Sequence, residues 1–103
     1  MVATVQRKRI EILVDTPLVP RIIAIVKKVD ISGWSVIKIA SGGGRDGRWD
    51  HDEVTGAAAK SIVLMIANEE KAGLFADEVA PLLESHGLLI TIGTVEVVRG
   101  ERF

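Results

Sequence analysis

The chain has 103 residues, enough for one domain, and its 13 basic and 14 acidic residues nearly cancel, which argues against bulk attraction to nucleic acid. It has no cysteine, which excludes disulfides, thiolate metal sites and cysteine nucleophiles. No apolar run approaches the roughly 20 residues of a membrane span, and the amino terminus lacks the apolar core of a signal peptide. We therefore expect a single cytoplasmic domain over residues 1–103.

The amino-terminal half predicts a strand, a helix and a second strand. Residues 8–14 alternate well enough for a strand, and residues 34–40 predict another. Between them, Thr16 offers a hydroxyl cap and Pro17 a residue whose missing N–H costs nothing at a helix start. The helix is predicted to end before Gly33. Its apolar face, at helical spacing, consists of Val19, Ile22, Ile23, Val26 and Val29.

The carboxyl-terminal half repeats this order. Residues 59–67 form a nearly uninterrupted apolar strand, and residues 88–98 predict a fourth strand. Asn68 should cap the helix between them, and Gly87 should stop it. Pro81 lies inside the helical pattern and is expected to kink the helix or end it early. The predicted buried stripe consists of Ala72, Phe75, Ala76, Val79 and Leu83.

This order of elements predicts a ferredoxin-like βαββαβ sandwich of the α+β class, with both helices on one face of an antiparallel sheet. The strands are too apolar on both sides for the other face to meet water. The apolar residues that cannot all lie under two helices are Ile37, Ile39, Leu64, Ile66, Ile90 and Ile92. A large exposed apolar sheet face predicts a cyclic homo-oligomer in which sheets pack on one another.

A polar, glycine-rich segment separates the second and third strands. Residues 41–56 contain five glycines, two arginines and four acids, and a long connection without secondary structure is usually functional or disordered. Gly43 and Gly44 would let backbone N–H groups approach a ligand, while Arg45 and Arg48 could donate paired hydrogen bonds to phosphate. The segment fits neither a Walker loop nor a dinucleotide fingerprint. A flexible hairpin connection explains it equally well.

Other candidate residues carry weaker signals. Asp50, His51, Asp52 and Glu53 are metal-ligand types, but sequence neighbours rarely converge on one ion, which favours a solvated turn and leaves metal binding open. His86 at a helix end is explained by the helix dipole. No serine elbow or His–Ser–Asp pattern exists, so we predict no catalytic residue. No aromatic residue lies mid-strand, which argues against an RNA-recognition module.

Three further side chains have both a structural and a functional interpretation. Arg99 and Arg102 follow the last strand, where they are either solvated or complete an anion pocket with the glycine segment of a neighbouring subunit. Trp49 lies in the polar segment, where it either packs back on its own sheet or serves as a hot spot for a partner protein.

Four features, in order along the chain, make the sequence similar to a known family. They are the strand start Gly33-Trp34-Ser35-Val36, the basic glycine run Gly42-Gly43-Gly44-Arg45, the turn Gly87-Leu88-Leu89-Ile90, and the tail residues Glu96, Gly100 and Phe103. From Lys8 to Phe103 the chain resembles the PII signalling superfamily, and within it the PII-like proteins associated with bicarbonate transport and carboxysomes.

The resemblance implies a homotrimer with adenine-nucleotide sites in the clefts between subunits. It also implies a mobile T-loop at about residues 41–58 that docks on a partner, with Trp49 near its tip. By position, the base would be held by Ser35 and the backbone around Leu88 and Leu89, next to Gly87. The phosphates would be held by Gly43, Gly44, Arg45 and Arg48, with Arg99 or Arg102 joining across the cleft.

The chain departs from the nitrogen-sensing members of the superfamily. It has no tyrosine to modify, and it lacks the Thr-Gly-x-x-Gly-Asp-Gly-Lys loop that those members use for ATP phosphates. AMP or ADP is therefore the expected ligand, with ATP and cyclic AMP as further candidates. Bicarbonate is another candidate ligand.

The resemblance implies a regulator without a catalytic cofactor, signalling to a partner such as a membrane bicarbonate transporter in inorganic-carbon uptake or carboxysome function. We expect neither nucleic-acid binding nor membrane insertion. Two alternatives stay open: a slow metal-dependent nucleotide phosphohydrolase, and a trimeric metal-binding protein like the CutA group. The missing cysteines and the few metal-ligand side chains weigh against the second alternative.

Overall fold

The computed structural model describes residues 2–44, 47–50 and 59–98. The elements, in chain order, are β1 (Val5–Asp15), a 3-10 turn (Thr16–Leu18), α1 (Val19–Lys28), β2 (Gly33–Lys38), β3 (Ser41–Gly44), β4 (Gly47–Asp50), β5 (Lys60–Ala67), α2 (Glu69–His86) and β6 (Leu89–Val97). The predicted α+β ferredoxin-like order is confirmed, with a small β3–β4 pair added between its two halves.

Four strands form an antiparallel sheet in the order β2-β5-β1-β6. Register aligns Trp34, Met65, Ile10 and Ile92 in one row across the sheet. Side chains alternate between the two faces of a strand, so this row and every second row face the helices. The rows between them form the open face of the sheet.

The core lies between the sheet and the two helices. Its buried residues are Ile10, Ile12, Val14, Ile22, Val26, Ile31, Val63, Met65, Ala67, Ala72, Phe75 and Val79. Both predicted helix stripes are found in this core, with two exceptions in α2: Ala76 is only half-buried and does not belong to the core, and Leu82 packs on the core where Leu83 was predicted, while Leu83 is exposed. The spacings of three and four residues from Val79 both fit a helix face, and tertiary packing selects the shorter one.

The helix ends test the predicted caps. Asn68 Oδ1 accepts a hydrogen bond from the Lys71 backbone N–H at 2.8 Å, as expected of a cap. Gly87 is left-handed with φ 61°, and its N–H donates to Leu83 O at 3.1 Å. The expected early end of α2 at Pro81 is wrong, because the helix continues to His86; a kink at Pro81 stays a prediction. Pro81 lies on the exposed side, where water can reach the carbonyl that loses its donor.

The start and end of α1 differ from expectation. Thr16 does not cap α1, since it begins the 3-10 turn and its Oγ1 lies 2.9 Å from Ser61 Oγ. The helix ends at Lys28 rather than just before Gly33, because Asp30 takes a left-handed φ of 60°. The Thr16 hydroxyl does make a polar contact, but its partner is Ser61, far away in the sequence, rather than the first turn of α1.

The open face of the sheet is apolar, as predicted, but its membership differs in part. Ile37, Leu64 and Ile66 lie on it, as register shows. Ile90 and Ile92 instead face the helix side. Ile90 packs against the core, whereas Ile92 lies beyond the helices. Within the described residues, neither helix has the length and apolar character needed to cross a bilayer.

Candidate functional site

An open pocket of about 550 Å³ lies where β2 begins. Its lining combines an apolar floor with two hydroxyl side chains, and the residues are Ser32, Gly33, Trp34, Ser35, Leu64, Met65 and Ile66. Trp34 is 39% exposed, so one side of its indole is available to a ligand. The structure therefore puts Ser35, a predicted binding residue, into a concave site.

The free edge of β2 adds backbone groups to this pocket. The N–H of Ile39 donates to Lys60 O at 3.1 Å. Backbone groups alternate in direction along a strand, so every second residue back from Ile39 also points toward β5. The N–H and C=O groups of Trp34, Val36 and Lys38 therefore point away from β5, toward the open edge.

Leu89 lies in a second, smaller concavity of about 150 Å³ on the open face of the sheet. Its other lining residues are Glu11, Leu13, Ile62 and Thr91. Leu88 precedes β6, and the preceding Gly87 closes α2 in the left-handed region that favours glycine. The helix cap alone thus explains a glycine at position 87.

The two predicted base-binding positions, Ser35 and Leu89, belong to opposite edges of the sheet, although the concavity around Leu89 extends across β1 to Ile62 of β5. Ser35 is on edge strand β2 and Leu89 on edge strand β6. Three strand spacings of about 4.8 Å separate these edges by about 14 Å. One aromatic ring cannot contact both residues within a protomer. A single base held by both residues would therefore need one of them from a second protomer.

The glycine segment begins as an antiparallel strand pair, whereas the sequence predicted a connection without secondary structure and left a hairpin connection open. Gly43 pairs with Arg48, and Gly44 pairs with Gly47. The absence of side chains on the glycines allows close strand pairing, which composition did not reveal. A Cβ added at Gly44 would meet nothing within 4 Å, so the packing of this protomer does not require a glycine there.

Several predicted residues lie outside the described part of the chain. They are Arg45, His51, Asp52, Glu53, Arg99, Gly100, Arg102 and Phe103. The backbones of Arg48, Trp49 and Asp50 belong to β4, but their side chains also lie outside the described part. Their binding roles, and the metal question at the acidic turn, stay predictions.

The carboxyl-terminal tail and the glycine segment leave the sheet at opposite ends. Ile37, near the end of β2, lies in the row of Leu13, whereas Val97 pairs with Val5. Eight residues of β1 at about 3.4 Å each separate these rows by about 27 Å. A tail arginine that joins a phosphate site at the glycine segment would therefore come most directly from a neighbouring subunit.

The charged side chains of the described residues form pairs rather than a metal centre. Arg9 contacts Glu11 at 2.7 Å on the open face, and Lys28 contacts Glu78 at 2.9 Å between the helices. Over residues 2–44 and 59–98, no group of three or more His, Asp or Glu side chains could hold a metal ion.

Sequence reasoning missed most of the lining of the larger pocket. Register brings Gly33 opposite Ile66 and Trp34 opposite Met65, which joins residues more than 30 positions apart. The apolar run of β5 marked Leu64 and Ile66 only as members of a larger set that could not all lie under the helices, and it did not place them in a pocket. Their alternation with small or polar residues, the usual signal, is missing.

The chain is thus a ferredoxin-like sandwich with two open concavities along its sheet. The family described as nitrogen regulatory protein P-II matches residues 7–102. The chain therefore belongs to the P-II family, as its sequence indicated. Proteins of this family are generally signalling proteins rather than enzymes.

Solved structures share the fold. CPII from Thiomonas intermedia, a nitrogen regulatory PII-like protein bound to ADP, AMP and bicarbonate, is 18% identical with a TM-score of 0.89, covering 100% of this chain and 98% of that chain. A putative PII-like signaling protein from Thermus thermophilus is 21% identical with a TM-score of 0.83, covering 97% of each chain. No curated protein matches the sequence significantly.

Proposed function

We propose that this protein is a non-catalytic regulator that binds AMP or ADP in clefts between the subunits of a homotrimer. The observation that carries the proposal is the open pocket at the start of β2, which contains Ser35. It occurs in a chain of the P-II family. CPII, which shares the fold, binds ADP and AMP.

The chemistry of this pocket suits an adenine ring. The partly exposed indole of Trp34 offers a stacking surface on the helix side of edge strand β2, whereas Leu64 and Ile66 offer apolar contacts on the open face of the sheet. Base–aromatic stacking is worth about 1–3 kcal/mol. The Ser35 hydroxyl and the edge backbone of β2 can donate to and accept from the ring nitrogens and the amino group.

The open sheet face supports the trimer. Ile37 and Leu89 are 46% and 58% exposed on it, and burial of such residues favours association. The distance of about 14 Å between the two sheet edges, from three strand spacings, supports a cleft made by two protomers. In this arrangement Ser35 of one subunit and the Leu88–Leu89 turn of another enclose the base.

The phosphates would be held by the glycine segment. The N–H groups of Gly43 and Gly44 point in opposite directions along β3, so one of them can donate to a phosphate while the other faces β4. Arg45 and Arg48 would add charged donors. Arg99 or Arg102 of the neighbouring subunit would complete the site. AMP and ADP need fewer such donors than ATP, which favours them here over ATP, with cyclic AMP as a further candidate.

Signalling would pass through the T-loop at about residues 41–58, with Trp49 as the contact to a partner protein. CPII, which shares this fold, also binds bicarbonate, which supports bicarbonate as a second ligand. We extend the proposal to a cytoplasmic role in inorganic-carbon uptake or carboxysome function, with a membrane bicarbonate transporter as the candidate partner.

Titration calorimetry on the purified protein tests the proposal. ADP and AMP should bind, whereas GDP, which carries different groups on the base edge, should bind far more weakly. Incubation with ATP and Mg²⁺ should release no phosphate above a protein-free control. If the protein bound neither ADP nor AMP, the proposal would be contradicted. Sustained turnover of ATP would contradict the non-catalytic role.

A further inference from the structure

A carboxylate lies in the smaller concavity, the one that contains Leu89. This concavity of about 150 Å³ is on the open face of the sheet, and its lining residues are Glu11, Leu13, Ile62, Leu89 and Thr91. The Glu11 and Thr91 side chains are polar, and the others are apolar. The concavity therefore offers apolar contacts together with a charged hydrogen-bond acceptor and a hydroxyl group.

Strand register places Glu11 close to Leu89, one of the residues predicted to hold the base. Leu13 pairs with Leu89, and Glu11, two residues earlier on β1, pairs with Thr91. Two residues of strand at about 3.4 Å each separate these pairs by about 7 Å. All of these side chains lie on the open face. A base that packs on Leu89 from this face therefore comes within reach of the Glu11 carboxylate.

Arg9 holds this carboxylate in place. Its Nη2 lies 2.7 Å from Glu11 Oε1. Gly93 is the β6 partner of Arg9, so no side chain of β6 lies beside Arg9 in its row of the sheet. A carboxylate has about four acceptor positions, and even a paired contact with one arginine occupies only about two of them. The ion pair thus orients Glu11 and leaves acceptor positions for a ligand.

Stability does not account for the ion pair. The Arg9 and Glu11 side chains are 49% and 37% exposed, and ion pairs this close to solvent add little to folding. In the proposed trimer the open face is covered, where the loss of water around an ion pair costs free energy that apolar residues would avoid. The β5 partners of Arg9 and Glu11 are Ile66 and Leu64, so this part of the face accommodates apolar side chains. A binding role accounts for the carboxylate.

A carboxylate at this position can distinguish two kinds of purine. Adenine carries an amino group at position 6, which donates hydrogen bonds, whereas guanine carries a carbonyl oxygen there, which accepts them. An ionised carboxylate only accepts, so it attracts the amino group and repels the carbonyl oxygen. The Thr91 hydroxyl can donate or accept and does not make this distinction.

We propose that Glu11 is a specificity-determining residue that accepts a hydrogen bond from the 6-amino group of the base and so selects adenine over 6-oxopurine nucleotides. Arg9 is the positioning residue that orients its carboxylate. This inference rests on the proposed function, because the base reaches the concavity through its contact with the Leu88–Leu89 turn. The concavity belongs to the subunit that supplies this turn, and Ser35 comes from the neighbouring subunit.

The main competing role for Glu11 is a contact between subunits on the open face. The two roles differ in what is lost when the charge is removed. Loss of a subunit contact changes the assembly, or changes the affinity for every nucleotide alike. Loss of a base-reading acceptor changes the ratio of the affinities for amino and oxo bases.

Titration calorimetry with ADP and inosine diphosphate, which has a carbonyl group at position 6, separates these roles. The wild-type protein should prefer ADP about 10- to 140-fold, the worth of a charge-assisted hydrogen bond. Glu11→Gln keeps the size of the side chain, and its amide can accept or donate, so the preference should fall below about 5-fold. Light scattering should show an unchanged trimer.

The matched control is Glu78→Gln, which also removes an ion-paired carboxylate. Glu78 contacts Lys28 at 2.9 Å between the helices, and its side chain is 40% exposed, close to the exposure of Glu11. It lines neither the concavity around Leu89 nor the larger pocket. Glu78→Gln should therefore keep both the wild-type ADP affinity and the wild-type preference for ADP.

Each contrary outcome has a distinct meaning. Wild-type protein that binds neither ADP nor AMP overturns the proposed function and the specificity role with it. Wild-type protein that binds ADP and inosine diphosphate equally well overturns the specificity role alone. A full preference for ADP in Glu11→Gln does the same, including the case in which both nucleotides bind more weakly by one factor. Loss of the trimer in Glu11→Gln would assign Glu11 to the subunit contact and also overturn the specificity role.

Discussion

Removal of the Trp34 side chain should weaken ADP binding while the fold persists. The indole lines the larger pocket and is 39% exposed on an edge strand, and it is absent from the buried core. Loss of one base–aromatic stacking contact costs about 1–3 kcal/mol of binding free energy. Because each 1.4 kcal/mol is a factor of ten, Trp34→Ala should weaken ADP binding about 5- to 140-fold.

The control for this change lies in the same row of the sheet. Ile92 is on the same face, is 47% exposed and occupies the opposite edge strand, but it does not line the larger pocket. Ile92→Ala should therefore leave ADP affinity near that of wild type. Titration calorimetry on both variants, with circular dichroism to verify folding, provides the comparison. Wild-type affinity in a folded Trp34→Ala variant would refute adenine stacking in this pocket.

Further predictions concern assembly, phosphate binding and a helix cap. Light scattering should give a trimer of about 33 kDa, three times the 11.1 kDa chain, and a stable monomer at micromolar concentration would contradict it. Arg45→Ala should weaken ADP binding about 10- to 140-fold, the worth of a charge-assisted hydrogen bond, with partial recovery in Arg45→Lys; unchanged calorimetric affinity would remove Arg45 from the site. Gly87→Ala should lower the free energy of unfolding by about 1–2 kcal/mol, because the φ angle of Gly87 is 61°. Gly73→Ala, inside α2 with open space around it, should instead raise the free energy of unfolding by about 0.5–1 kcal/mol. Urea denaturation that gave both changes the same sign would contradict the assigned role of the cap.

Short-range sequence signals predicted the ends of α2, because the interactions that end a helix are themselves local. Asn68 and Gly87 act on backbone groups within one turn of the helix, so their cap roles could be predicted. Thr16 could not, because its hydroxyl partner Ser61 is 45 residues away. Pro81 broke no helix, since the packing of Leu82 on the core continues beyond it.

The face of the sheet on which a side chain lies depends on the register between neighbouring strands, and the sequence of one strand does not determine that register. The run from Leu89 to Ile92 is apolar nearly throughout, so only its pairing with β1 shows that Ile90 and Ile92 face the helices. The residues of the candidate site also fall into two groups, those that the sequence could predict and those that only the strand register brings together. Ser35 could be proposed from a family pattern, but its pocket partner Ile66 is brought near by the β2–β5 register. The separation of Ser35 and Leu89 onto opposite edges required the strand order.

A crystal structure of the protein with ADP tests the central claim most directly, because the claim concerns which protomers surround one nucleotide. We expect a trimer in which the adenine lies between Ser35 of one subunit and the Leu88–Leu89 turn of its neighbour, with the diphosphate against Gly43 and Gly44. ADP bound wholly within one protomer, or in a place remote from the β2 edge, would contradict the claim.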